Sequence, residues 1–169
     1  ITEIADAEAL LNAGADKISI NSAAVKNPQL IEDLAKTFGV QFVVLAVDTK
    51  HIDGKNVVHL NGGRLVTELE TENWIKKAED LGAGEILLTS MDHDGTKAGF
   101  DCELLAKINK MINIPVIASG GAGKTDHFTE VFQKAGVDAA LAASVFHYGE
   151  ILIPDLKQEL KRNGIPVRI

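Results

Sequence analysis

Asp48 closes the run Phe42-Val43-Val44-Leu45-Ala46-Val47, which sets one ionisable carboxyl at the tip of an otherwise apolar segment. Desolvation beside such a segment disfavours the carboxylate and moves its pKa toward the working pH, which suits general acid–base catalysis. An ion pair with Lys50 is the plainer use of the same side chain. Ser119-Gly120-Gly121-Ala122-Gly123 follows the apolar run Pro115-Val116-Ile117-Ala118, and Ala143-Ser144 follows the next one. Residues without a Cβ let backbone N–H groups approach an anion closely, and a short helix beginning near Ser144 would add its own free N–H groups. A glycine run by itself serves a tight turn equally well; two such tips on consecutive strands point to a phosphate. Asn21-Ser22 ends the first apolar run, where capping of the next helix is the alternative role. Thr89 and the loop residues Asp94 and Gly95 complete the candidates, with Asp94 suited to hydrogen-bonding substrate hydroxyls or to shaping its loop. The five histidines have neither H-x-x-x-H nor H-E-x-x-H spacing, so no metal is expected, and no cofactor either.

These residues need elements to position them. Five short, nearly all-apolar runs, at 17–21, 42–48, 85–89, 115–118 and 138–142, have the form of parallel strands buried on both faces. Helix-period stretches lie at 2–13, 28–38, 71–81, 101–112, 124–135 and 151–163, several bounded by glycine at the end. Asp53-Gly54, between His51-Ile52 and Val57-Val58-His59-Leu60, predicts an inserted hairpin.

An internal repeat then selects among folds. Ala13-Gly14-Ala15-Asp16-Lys17-Ile18-Ser19-Ile20-Asn21-Ser22 aligns with the stretch from Leu81 to Ser90 and again with the stretch from Ala135 to Ser144. Each copy is a helix end, a glycine turn, a strand and a small polar tip. A five-stranded, open flavodoxin-like sheet gives no reason for such equivalence, whereas a (β/α)8 TIM barrel puts every strand in the same environment. The expectation is a single domain over 1–169 that forms the C-terminal five βα units of such a barrel, with three N-terminal strands missing. Barrel sites lie at the C-terminal ends of the strands, where all the candidates fall. Asn21-Ser22 and Ala143-Ser144 are four units apart, half a turn of eight, so two anion sites on opposite rims would hold a substrate with a phosphate at each end and its middle over Asp48. Lys17 and Glu85 sit at the opposite, N-terminal ends of their strands, as exposed charges or as inward-facing ones that need a partner.

Composition bounds the function. The chain has 169 residues, 46% hydrophobic and 24% charged, in the range of a globular domain. Its 24 acidic and 17 basic residues leave a net charge of −7, against a broad nucleic-acid footprint. No apolar stretch has membrane-spanning length. The single cysteine, Cys102, forms no internal disulfide, and a cytoplasmic setting is expected.

The motifs also match a family. Leu88-Thr89-Ser90-Met91-Asp92-His93-Asp94-Gly95-Thr96-Lys97, Ile117-Ala118-Ser119-Gly120-Gly121-Ala122-Gly123 and Ala139-Ala140-Leu141-Ala142-Ala143-Ser144-Val145-Phe146-His147 resemble the cyclase subunits of imidazole glycerol phosphate synthases, and the resemblance runs through the whole chain. A related isomerase of histidine biosynthesis is also a two-phosphate barrel, but Gly-Thr-Lys after Asp94 and the Ala-Ala-Ser-Val-Phe-His stretch resemble the cyclase. The resemblance implies a lyase-type cyclisation of phosphoribulosyl-formimino aminoimidazole carboxamide ribonucleotide with ammonia. It implies a glutaminase partner docked at the barrel bottom, with Lys17 and Glu85 in a ring of charges through which ammonia passes. Asp48 matches one of the family's two catalytic aspartates; the other lies on the first strand, which this chain lacks, so the fragment alone is expected to be inactive, a phosphate-binding part-barrel. Two departures are His93, where arginine is common, and Thr67-Glu68, where Thr-Gly is common.

Overall fold

The computed structural model describes residues 1–169. In chain order the elements are α1 (Ile4–Asn12), β1 (Ile18–Ile20), α2 (Ser22–Lys26), α3 (Gln29–Phe38), β2 (Val43–Ile52), β3 (Lys55–Leu60), β4 (Leu65–Glu70), α4 (Thr71–Asp80), β5 (Glu85–Ser90), α5 (Cys102–Met111), β6 (Val116–Ser119), α6 (Thr125–Ala135), β7 (Ala139–Leu141), α7 (Ser144–His147) and α8 (Ile153–Arg162). A 3-10 turn at Val40–Phe42 leads into β2. All five predicted strands and all six predicted helices are present, the helices mostly one or two residues shorter at their ends. The short helices α2 and α7 follow directly on the strand tips Asn21 and Ala143.

The strands form one seven-stranded, mostly parallel, open sheet. β1 pairs with the first half of β2, which also pairs with β5, and β6 and β7 follow in turn, all parallel. Parallel neighbours therefore succeed one another in chain order. A flavodoxin-like sheet reverses its strand order at a switch point, so that alternative does not describe this molecule. Five strands is also a correction: β2 runs on beyond Asp48 into the hairpin, and β3 and β4 add two antiparallel members. Asp53 and Gly54 both have positive φ, 48° and 81°, as the tight two-residue connection from β2 to β3 requires. β4 escaped the sequence reading because its apolar residues lie on an exposed strand, Leu65 at 49% and Val66 at 55%, with no burial to impose a clean alternation. Its signal was the turn Asn61-Gly62-Gly63, whose three residues all have positive φ.

The two faces of the parallel region differ. Leu45, Val47, Ile86, Leu88, Val116 and Ala118 are fully or almost fully buried and belong to one core with Leu30, Ile31 and Leu34 of α3, Trp74 and Ile75 of α4, Leu105 and Ile108 of α5, and Phe128 and Val131 of α6. Each helix buries an apolar stripe at three- and four-residue spacing, so packing on the sheet fixes its rotation about its own axis. On the other face Ala46, Leu87 and Ile117 are partly accessible, and Ser19 and Leu141 are exposed. Replacing Ile86, 0% exposed at the centre of the covered face, by alanine should cost about 2–5 kcal/mol in denaturant unfolding, whereas Leu87→Ala on the partly open face should cost less.

Candidate functional site

Register decides which strand ends meet. Asp48 pairs with Thr89, Thr89 with Ser119 and Ser119 with Leu141, so one row crosses β2, β5, β6 and β7 at their C-terminal ends. Side chains at paired positions project from the same face, and this row stands on the partly open one. β1 ends three residues lower, at Ile20 opposite Leu45, and Asn21 follows it: its Nδ2 donates to Asp48 Oδ2 at 3.1 Å. Asn21 is therefore a direct partner of the acid, although its type and position had suggested a phosphate ligand. Its Oδ1 is buried without a partner. Ser22 Oγ accepts the N–H of Asn61 at 3.2 Å, which ties the tip of β1 to the β3–β4 turn. The Asn21-Ser22 pair thus stands beside Asp48, with Asn21 Nδ2 and Ser22 Oγ engaged and Asn21 Oδ1 free.

Asp48 is half-buried and, with Thr89, Met91, Asp94, Gly62 and Gly63, lines a cavity of about 230 Å³. Its pKa is raised above the ordinary carboxylate value, chiefly because burial disfavours the charge. The hydrogen bond from Asn21 opposes that shift, the nearby Asp94 adds to it, and His59, paired with Asp48 across the antiparallel ladder, opposes it. Lys50 makes no ion pair with Asp48: it lies exposed further along β2, opposite Val57, where the strand has left the buried layer.

The second cavity, about 250 Å³, brings together Asp94, Gly95, Ser119, Gly120, Gly121, Ala143 and Ser144, seven of the residues singled out from sequence. Leu141, Ala142, Ala122 and Lys97 complete its wall. The backbone N–H groups of Gly120, Gly121, Ala122, Ala143 and Ser144 donate to no acceptor of the chain, so the wall is rich in free donors. The glycines are needed for a further reason. A Cβ on Gly121 would collide with the carbonyl of Gly99, and one on Gly120 would lie 2.7 Å from the Ser90 oxygen. The loops after β5 and β6 meet backbone to backbone, closed by Gly99 N–H donating to the Gly121 carbonyl at 2.8 Å. Asp94 lines both cavities and so stands between the acid and the donor-rich cup. Lys97 was missed as a wall residue; it has φ +57°, and its Nζ is 2.6 Å from both carboxylate oxygens of Glu150.

At the opposite end of the strands, Lys17 Nζ and Glu85 Oε1 form an ion pair across β2. Ser19 pairs with Val44 and Val44 with Glu85, so the bridge spans three strands on the partly open face. The side chains are 44% and 20% exposed.

The donor-rich cavity, and Thr89, Met91 and Asp94 of the cavity beside Asp48, are built from the motifs that carried the sequence resemblance, and comparison with known proteins agrees. A family model described as histidine biosynthesis protein matches residues 1–152. This chain belongs to the histidine biosynthesis protein family. Its relatives include proteins named imidazole glycerol phosphate synthase subunit HisF from Flavobacterium johnsoniae, 59% identical over 169 residues, and Flavobacterium psychrophilum, 58% identical over 169 residues, each aligned with all of this chain and 67% of the relative. The HisF subunit of Bacteroides fragilis is 56% identical over 168 residues, 99% of this chain and 67% of the relative. Against HisF sequences, Asp48 and the Gly120-Gly121 cup therefore lie within aligned sequence from end to end. No helix is long and apolar enough to cross a membrane.

The raised pKa of Asp48 makes a stability prediction with a definite sign. The folded state holds this proton to higher pH than the unfolded chain does, so the group costs stability as pH rises through the carboxylate range. Asp48→Asn, which keeps an oxygen for the Asn21 N–H, should raise the melting temperature above that of the unaltered protein near pH 7. The gain should vanish below about pH 3, where both states carry the proton, and paired thermal scans across pH measure it.

Proposed function

We propose that this chain supplies the C-terminal five βα units of a (β/α)8 barrel and carries the cyclase chemistry of imidazole glycerol phosphate synthase in histidine biosynthesis, as a lyase of the cytoplasm. The observation that carries this reading is the row from Asp48 through Thr89 and Ser119 to a cup of unpaired backbone N–H groups, which sets a half-buried acid one strand-width at a time from an anion site. The sequential order of β1, β2, β5, β6 and β7, with one face still partly open, supports the barrel. Further strands on the free edges of β1 and β7 would close the sheet and cover that face.

In this mechanism one phosphate of phosphoribulosyl-formimino aminoimidazole carboxamide ribonucleotide sits in the Gly120, Gly121 and Ser144 cup. The other lies across the mouth beside Asn21-Ser22. Ammonia attacks the ketone carbon and the carbinolamine loses water; the new nitrogen then bonds to the formimino carbon, closing the ring, and the C–N bond from that carbon to the aminoimidazole carboxamide ribonucleotide breaks, releasing it and leaving imidazole glycerol phosphate. Protons must be removed at nitrogen and delivered to the departing oxygen and nitrogen. Asp48, whose pKa burial has already raised, is suited to exchange them, with Asn21 holding one carboxyl oxygen in place. Asp94 and Thr89 face the same space and would hydrogen-bond the substrate's hydroxyls. One carboxylate is a poor candidate for every transfer, so a second, from a strand outside this chain, shares the work, and residues 1–169 alone are inactive. In the barrel completed by co-expression with the three remaining strands, Asp48→Asn should lower turnover with ammonium by at least 10²–10⁴-fold with little change in phosphate affinity. Full activity of that variant would defeat the role given to Asp48.

The Lys17–Glu85 pair would mark the ammonia entrance, with a glutaminase subunit docked over the N-terminal ends of the strands. A partly exposed pair contributes only about 0.2–1 kcal/mol to stability, so its removal should leave the fold intact. Lys17→Ala should then disturb glutamine-driven turnover by the complex more than turnover with added ammonium. Equal effects in the two assays would assign the pair a purely structural role.

A further inference from the structure

His127 is buried, 7% exposed, and the chemistry proposed above does not use it. It is the third residue of α6, directly after the glycine run. Its Nδ1 accepts the N–H of Gly123 at 3.1 Å, which requires the ring proton to be on Nε2. Helix starts commonly place glutamate or glutamine at this third position to receive an N–H from the residue leading into the helix. Here a neutral imidazole fills that role one residue further out. The same ring underlies the loop after β5: a Cβ on Gly99 would sit 3.7 Å from His127 Cδ2, and Gly99 in turn donates to the Gly121 carbonyl. Gly123 is pressed against Lys97, whose carbonyl would collide with any Cβ there. One side chain thus binds the end of the glycine run directly and leaves room for no more than about a methyl group between its ring and Gly99, which is itself hydrogen-bonded to Gly121.

We propose that His127 is a positioning residue for anion binding, which holds the Gly120–Gly123 backbone against the loop carrying Gly99 so that the free N–H groups line one cavity. This rests on the reading of that cavity as a phosphate site. The choice of imidazole follows from what is bound: a carboxylate at the same place would accept the Gly123 N–H but put a negative charge under a phosphate. A neutral acceptor keeps the hydrogen bond without the repulsion.

Inorganic phosphate, titrated into the protein and followed at the amide signals of Gly121, Ala122 and Gly123, tests the assignment. His127→Leu should weaken binding about tenfold, equivalent to about 1.4 kcal/mol, and speed hydrogen exchange at the Gly123 amide. His127→Gln should bind within about threefold of the unaltered protein, and His127→Glu clearly more weakly than His127→Gln despite its equal reach. Equal affinities for the Gln and Leu variants, or unchanged affinity in the Leu variant, would overturn the proposal. Should the Leu variant fail to fold, the Gln and Glu pair decides alone, equal binding by both counting against it. Ser144→Glu separates this from the reading beneath it. If that substitution leaves the Gly121 response to phosphate intact, the cavity is not the phosphate site and the proposed function fails there. If it removes the response while the His127 variants behave alike, only the role of His127 fails.

Discussion

The site depends on the parallel ladder between β2, β5, β6 and β7. Parallel pairing without a register shift puts Asp48, Thr89, Ser119 and Leu141 in one row, and every chemical feature at that end of the molecule is placed by this row. A slip of one residue in any pairing would exchange a strand's faces. It would turn Asp48 toward the helices, where Thr49 now meets Thr71 in a buried hydroxyl pair 2.6 Å apart, or turn Ser119 away from the cup. The apolar residues on the covered face, from Val43 to Val116, fix the register because only one phase buries them. The hydrophobic core therefore sets the geometry of the polar site.

The glycine run shows how one sequence signal can have two physical causes. Free N–H groups at Gly120 and Gly121 agree with the anion-binding interpretation, but the space a Cβ would take at each is filled by the loop from Ser90 to Gly99. The glycines let two backbones touch, and that contact brings Asp94 to the wall shared by both cavities. Close backbone approach and donor exposure are two results of the same missing side chains. A sequence shows the missing Cβ atoms; it does not show which neighbour has moved in.

What was legible in the sequence was whatever repeats or is buried. The five parallel strands appeared as apolar runs because one face is buried under the helices and the other, though partly open, is also largely apolar at Ala46, Leu87 and Ile117, and the strand tips were found because the repeat places them in equivalent positions. The donor-rich cup gathered seven predicted residues because all lie within two residues of a strand end or in the loop beside it. The partners were not legible. Nothing local in Asn21 indicates that it reaches Asp48 rather than a ligand, since that follows from β1 ending three residues short of β2's polar tip. Likewise Lys17 and Glu85 were placed at one end of the sheet, but their pairing across β2 depends on both facing the same side, which alternation along two separate strands decides. β4 lacks the burial that makes a strand visible, and His127 carries no signal beyond its place after a glycine run.

The charges at the two ends of the strands are held differently, and the difference bears on how they can be used. Lys17 and Glu85 neutralise each other, part-exposed, so neither needs a proton moved to be tolerated. Asp48 has no salt-bridge partner, only an amide from Asn21 and the smaller influence of His59 on the paired strand, while Asp94 lies near with the same sign. A carboxyl held by a neutral donor is kept oriented without being locked into its charged form, as an ion pair would lock it. Had Lys50 closed on Asp48, the carboxyl would have been held in its charged form and would less often carry a proton to deliver. The strand geometry prevents this by carrying Lys50 out with the hairpin and leaving an amide beside the carboxyl. The long β2, which seemed in sequence to be a strand followed by a separate hairpin, is thus the reason the acid stands apart from the cation nearest to it in the chain.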